Sequence, residues 1–291
     1  MRLAFLGTPQ AAVPSLRALV AADHDIVLVI TRPDRRRGRG GALLASPVKV
    51  AAQEMGLHVA HRVADLDGVD AERGVVVAYG AMVSAAHLER VPMLNVHFSL
   101  LPRWRGAAPV QRAILAGDLF TGVSIMSLEA GLDTGPVHLA REVAIGSKTA
   151  SELTDELADV GAAALVEVLA SSELLAHPRA QEGEVTYAEK LTKETFHLTP
   201  DMDLDALLRT IRLEGAFTFL NGRRLRVLAA HQGPPRSAAV GSLTMSDGAI
   251  ILTGAHGTLV LDRVQPEGSR AMDAHAWWSG ARLATSSPTW S

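Results

Sequence analysis

Asn95 and His97 are the residues of this chain best suited to chemistry, and they lie in the stretch Leu94–Gly106, LNVHFSLLPRWRG. An amide can stabilise a developing oxyanion. A neutral imidazole can take a proton near pH 7. If Met93 to Phe98 is extended, successive side chains alternate faces. Asn95 and His97 then share one face, while Leu94, Val96 and Phe98 point the other way into a core. Leu100-Leu101-Pro102 ends the strand, and Trp104-Arg105-Gly106 continues as a loop. In open α/β sheets that edge is where ligands bind. Asp133 is the only carboxylate in the loop Ala130–Pro136. It reads either as a turn residue bonding its own backbone or as the partner that orients His97 and favours its imidazolium. An isolated Asn-x-His is more often a capping amide beside a satisfied core histidine than a reactive pair. Its surroundings must decide.

Those surroundings begin with a β-α-β pattern. Leu3–Leu6 is a buried strand, Gly7-Thr8-Pro9 a turn, Ala11–Ala22 a helix and His24–Ile30 the next strand, which implies a parallel sheet. The dinucleotide fingerprint G-x-G-x-x-G is absent, because Thr8-Pro9 follows Gly7. Gly74–Ala78 (GVVVA) is a β-branched run of the kind found in central strands, with Tyr79-Gly80 as its turn. A short helix over Ala85–Arg90 leads into the Asn95/His97 strand, so Tyr79-Gly80 and Ser99–Pro102 fall at neighbouring strand ends. Gly122–Leu128 and Val137–Ile145 read as strands around the Asp133 loop. Thr149–Leu169 reads as a long amphipathic helix across the sheet. The pattern predicts a Rossmann-like domain over 1–178, a linker over 179–203 and a smaller OB-like β-barrel over 204–291. In the barrel, Asn221-Gly222 between apolar runs is a strong hairpin signal.

Composition narrows the function. The 291 residues carry a formal net charge of -3, which argues against a general nucleic-acid coat protein but leaves room for a local basic patch. There is no cysteine, so thiolate catalysis, disulfides and cysteine-bound metals are excluded. The opening apolar run is too short and too uncharged for a signal peptide, and no run reaches membrane-spanning length. A cytoplasmic monomer without membrane attachment is expected. Thr31–Lys49 differs in kind. It holds Arg32, Arg35, Arg36, Arg37 and Arg39 interleaved with Gly38, Gly40 and Gly41. It reads as a solvated flexible loop or as a mobile arm that meets a polyanion backbone. Arg223 and Arg224 in the barrel allow a second such surface.

Together these motifs resemble a known family. Asn95-Val96-His97, then Ser99-Leu100-Leu101-Pro102-Arg103-Trp104-Arg105-Gly106-Ala107-Ala108-Pro109, then Gly131-Leu132-Asp133-Thr134-Gly135 resemble formyltransferases that use 10-formyltetrahydrofolate. Gly7-Thr8-Pro9, the arginine loop with Ser46-Pro47-Val48-Lys49, and Tyr187-Ala188-Glu189-Lys190-Leu191 resemble the branch that formylates methionyl-tRNA. The resemblance implies a catalytic trio of Asn95, His97 and Asp133. It implies a folate-binding turn at Ser99, Leu100, Leu101 and Pro102, with Tyr79, Gly80 and Met82 lining the pterin slot. It implies tRNA contacts at Arg35, Arg36, Arg37, Arg39, Lys49, Arg223 and Arg224, with Arg39 foremost. The implied reaction passes the formyl group from 10-formyltetrahydrofolate to the α-amine of methionyl initiator tRNA, with no metal. Three alternatives remain: an amino-sugar nucleotide as acceptor, hydrolysis of the donor, or a tRNA-binding module without catalysis. Two departures from the family pattern stand out. Phe98 replaces a usual glycine, so its ring must enter the core or narrow the folate pocket. Ile211–Thr218 lacks part of a proline-containing run at the start of the barrel.

Overall fold

The computed structural model describes residues 1–37, 42–281 and 289–291. Along the first part of the chain run β1 (Arg2–Gly7), α1 (Val13–Ala21), β2 (Asp25–Ile30), β3 (Arg35–Arg37), β4 (Ala42–Leu44), α2 (Pro47–Glu54), β5 (Val59–Ala60) and β6 (Arg73–Val77). There follow α3 (Ala85–Arg90), β7 (Met93–His97), β8 (Arg105–Gly106), α4 (Pro109–Ala116), β9 (Phe120–Ser127), β10 (Val137–Ala144), α5 (Ala150–Ala170), α6 (Ser172–Ala176) and β11 (Tyr187–Ala188). The chain divides into two compact units. One holds Met1–Val110, Leu119–Gly146 and Glu152–Glu189; the other holds Gln111–Asp118, Ser147–Ser151 and Lys190–Ser291.

The first unit is built on a seven-stranded sheet of order β10-β9-β7-β6-β1-β2-β5. The five strands from β7 to β5 are parallel, as the β-α-β pattern predicts. β9 and β10 are antiparallel additions beside β7. That difference matters, because Ser127 at the end of β9 pairs with Leu94 and Ser124 with His97. The loop carrying Asp133 therefore leaves from beside the start of β7, about 10 Å of strand away from His97. It must fold back to reach the imidazole.

The described parts of the arginine-rich segment are paired. β3 and β4 form an antiparallel hairpin. Its base is tied by the Lys49 ammonium on both Asp34 carboxylate oxygens (2.9 and 2.7 Å) and by the Thr31 and Ser46 hydroxyls at 2.7 Å. Ser46 also caps α2 through the Lys49 amide, as serine before an N-terminal proline commonly does. Arg39 lies outside the described residues.

The second unit contains α7 (Leu204–Ile211), β12 (Phe217–Leu220), β13 (Arg223–Gln232), β14 (Leu243–Ser246), β15 (Ala249–Gly254), β16 (Gly257–Pro266), β17 (Met272–Asp273) and α8 (Ala274–Gly280). Its strands make a curled antiparallel sheet of order β12-β13-β16-β15-β14, with β17 beside β16. Register shifts at Val227/Ala229 and Ala229/Ala230 on β13 supply local curvature. Asn221 and Gly222 both take positive φ (48° and 78°), as a two-residue hairpin requires. Thr289–Ser291 joins the two edges. Phe219 and Ser291 exchange both backbone hydrogen bonds, and the Trp290 amide donates to the Gly241 carbonyl just before β14. At the start of this sheet, Glu214 adopts φ 63°. A Cβ on Gly215 would meet the Phe196 ring at 2.5 Å.

Candidate active site

β7 alternates as its sequence predicts, and Asn95 (8% exposed) and His97 (6% exposed) are the polar residues it buries. The question raised by Phe98 is resolved by α5. A Cβ on Gly161 of that helix would lie 2.8 Å from Val96 and 3.7 Å from the Phe98 ring. Phe98 thus packs with Val96 against a glycine on the helix side and leaves the Asn95/His97 face clear.

His97 is held at both ring nitrogens. Nε2 lies 2.9 Å from the Trp104 carbonyl oxygen. A carbonyl can only accept, so the Nε2 hydrogen is committed there and the tautomer follows. Nδ1 lies 3.7 Å from Asp133 Oδ2. That is beyond hydrogen-bond length, and the carboxylate faces the ring nitrogen that carries no committed hydrogen. Asp133 Oδ2 is itself held by the Gly106 amide at 2.8 Å. The Asn95 side-chain amide makes no hydrogen bond among the described residues, which leaves it available on the same strand face.

The Asp133 loop folds back through unusual backbone. Asp133 has φ 50°. A Cβ on Gly135 would lie 1.9 Å from the Ser127 carbonyl oxygen. Backbone cannot yield there, so Gly135→Ala should cost about 2–3 kcal/mol of stability and displace Asp133. Urea denaturation and kcat of that variant check this; a variant with wild-type stability and turnover would show the approach to be loose. His138 pins the same loop from β10. It bonds Ser127 Oγ through Nε2 (2.9 Å) and the Leu174 carbonyl through Nδ1 (2.8 Å). Burial pushes its pKa down, in keeping with a neutral ring donating to that carbonyl.

The expected folate residues are arranged as follows. Ser99–Pro102 forms a turn with a cis Leu101–Pro102 peptide. Ser124 Oγ organises it, donating to the Ser99 carbonyl (2.8 Å) and accepting from the Leu101 amide (3.1 Å). Leu100 packs where a Cβ on Gly122 would stand, at 2.5 Å. The Tyr79 ring belongs to a core cluster with Leu6, Val76 and Met93. Burial raises its pKa, opposed by the Arg32 guanidinium at its hydroxyl. Gly80 has φ 75°, and the Met82 side chain is 79% exposed. Tyr79 and Gly80 border a cleft of about 220 Å³ with Thr8, Arg32, Arg35 and Ser46.

Of the expected tRNA contacts, Arg35 and Arg36 are exposed on the hairpin. Lys49, the other expected contact on this segment, has its ammonium paired with Asp34 at 2.7 Å. In the second unit Arg223 and Arg224 are exposed. Arg224 stacks 4.0 Å over the Phe217 ring, whose partner His197 lies 5.1 Å away and parallel. Sequence reasoning missed Gln181 and Thr186. Both fall where a linker was expected, yet both bond the site. The Thr186 hydroxyl accepts from the Trp104 amide at 2.9 Å, and β11 pairs with β8. The resemblance of Tyr187–Leu191 was the available signal.

Comparison with known proteins shows the family. The formyl transferase family model matches residues 1–169, and the formyl transferase C-terminal domain model matches 190–282. The chain belongs to the formyl transferase family. Across 98% of its length it is 42% identical to a methionyl-tRNA formyltransferase of Jannaschia sp., covering 98% of that protein. It is 46% identical to one of Rhizorhabdus wittichii, with 94% of this chain and 93% of that protein covered. Among solved structures it shares its fold with methionyl-tRNA formyltransferase from Clostridium thermocellum (TM-score 0.56, 17% identity, 80% of this chain and 94% of that one). It also shares its fold with HypX from Aquifex aeolicus, solved with tetrahydrofolic acid (TM-score 0.68, 14% identity, 97% of this chain and 48% of that one).

Proposed function

We propose that this chain transfers the formyl group of 10-formyltetrahydrofolate to the α-amine of methionine esterified to initiator tRNA. The observation that carries the mechanism is the double restraint on His97, with Trp104 at one nitrogen and Asp133 near the other. The donor supplies a formyl carbon bonded to its N10. Attack by the amine forms a C–N bond and places negative charge on the formyl oxygen. The Asn95 amide donates to that oxygen, acting only where charge develops. Nδ1 is the ring nitrogen left to accept the amine's proton, directly or through one water. Asp133 stabilises the resulting imidazolium by charge without taking the proton. Return of that proton to the leaving N10 completes the exchange as the C–N10 bond breaks.

The relatives' names support a methionyl-tRNA acceptor. The Ser99–Pro102 turn and the Ala78–Gly80 turn are the proposed folate contacts. Arg35, Arg36, Arg37, Arg39, Arg223 and Arg224 are the proposed tRNA contacts, with Lys49 setting the base of the hairpin. One assay tests the reading. Purified protein is given 10-formyltetrahydrofolate with charged initiator tRNA, charged elongator tRNA, an amino-sugar nucleotide or water. Formylation of the initiator alone is expected; steady formate release without acceptor would replace this function with a hydrolase.

The loop carries its own test. Arg39→Ala should lower kcat/KM for tRNA and flatten the logarithmic salt slope by about 0.7–0.9 for each phosphate that is no longer neutralised. Kinetics across a salt series read both. A changed folate KM with untouched tRNA kinetics would move the loop to the other substrate.

A further inference from the structure

Gln181 is not a member of the proposed catalytic trio, yet all its side-chain hydrogen-bonding capacity points at the site. Its Nε2 donates to the carbonyls of Asp133 and Gly135, both at 2.8 Å. Its Oε1 accepts from Arg105 Nε at 3.0 Å and Nη2 at 2.7 Å. Carbonyls only accept and guanidinium only donates, so the orientation of this amide is unambiguous. The residue is anchored by a backbone bridge two positions earlier, where Arg179 and Val137 exchange hydrogen bonds of 2.7 and 2.8 Å. Five positions later Thr186 accepts from the Trp104 amide, and its carbonyl accepts from the Arg105 amide at 2.9 Å.

The geometry points to Gln181 as a positioning residue for formyl transfer, clamping the Asp133 loop and the Trp104-Arg105 segment together so that both partners of His97 are set at once. This rests on the role proposed for His97. The chemistry asks for glutamine in particular. Two donors on one nitrogen meet two carbonyls, and one oxygen meets a guanidinium. Glutamate lacks the donors, lysine lacks the acceptor, and asparagine is one methylene short. The clamp also opposes the tendency of Asp133, at φ 50°, to relax out of the left-handed region. The charged groups at issue are Asp133, 3.7 Å from Nδ1, and Arg103 and Arg105, which flank Trp104 in the chain.

The test uses Gln181→Met, which keeps length and neutrality but makes no such bonds. Its kcat should fall about 10²-fold, the cost of an ångström-scale misplacement, with KM for donor and tRNA nearly unchanged. The imidazole resonances of His97, followed by NMR, should move from their wild-type positions as the Trp104 carbonyl and the Asp133 carboxylate shift. Gln181→Asn should do the same and serves if the methionine variant does not fold. Wild-type His97 resonances in a folded variant overturn the proposal, whatever the melting temperature does. If those resonances are native while His97→Ala abolishes transfer, the clamp fails and the trio stands. If His97→Ala is itself fully active, the catalytic reading has failed instead.

Discussion

Replacing His97 with alanine should reduce kcat by at least about a hundredfold and leave KM for tRNA within a few-fold. Asn95→Ala and Asp133→Ala should show the same pattern. One lost oxyanion donor raises a barrier by about 3–4 kcal/mol, and each 1.36 kcal/mol is about tenfold in rate. The Trp104 carbonyl and the Asp133 carboxylate act on opposite nitrogens of one ring. Losses at His97 and Asp133 should therefore be far from additive in the double variant. Asp133→Asn separates two duties of that side chain. It can still accept from the Gly106 amide, so the loop keeps its place while the charge disappears. Steady-state kinetics over a pH series would read both effects. Near-normal turnover in His97→Ala would remove the imidazole from the mechanism.

Trp290→Ala should destabilise the second unit by about 3–5 kcal/mol, the range for truncating a buried large aromatic. The residue is 2% exposed and belongs to the same core cluster as Val227, Leu252 and Val264. Its indole N–H donates to the Thr253 carbonyl at 3.2 Å, a bond that truncation also removes, although the Gly241 amide still donates to that carbonyl at 2.8 Å. Its own backbone amide sits on Gly241, and its neighbour Ser291 on Phe219, the two edges of the sheet. Trp290→Phe should cost about 1–2 kcal/mol, keeping most of the packing and losing the hydrogen bond. Urea unfolding followed by fluorescence of the remaining tryptophans gives these numbers. A loss below about 1 kcal/mol for the alanine variant would mean that the edges close without this residue.

Much of the site could be read along the chain, because the deciding physics there is local. Strand alternation put Asn95 with His97 and sent Phe98 to the opposite face. Positive φ at Asn221 and Gly222 follows from residue type alone. Ser46-Pro47 announced the start of a helix for the same reason. The family motifs, too, are contiguous short segments.

Other features depend on pairings between distant segments. The β-α-β opening implied a parallel sheet, and the strands from β7 to β5 form one. Nothing in the β9 sequence says that it joins β7 antiparallel, which decides that the Asp133 loop must fold back towards His97. The arginine segment read as a loop because three-residue strands carry no periodicity, and the Lys49–Asp34 pair escaped notice because its partners are 15 residues apart. The stretch around Gln181 looked like a linker, since its bonds are single side-chain and bridge contacts to residues 46 to 76 positions off. The amino-acid sequence by itself determined which groups can react and which face of the strand presents them. Only the tertiary structure decided their distances, because those follow from register and loop closure across the chain, where no local pattern records the partner.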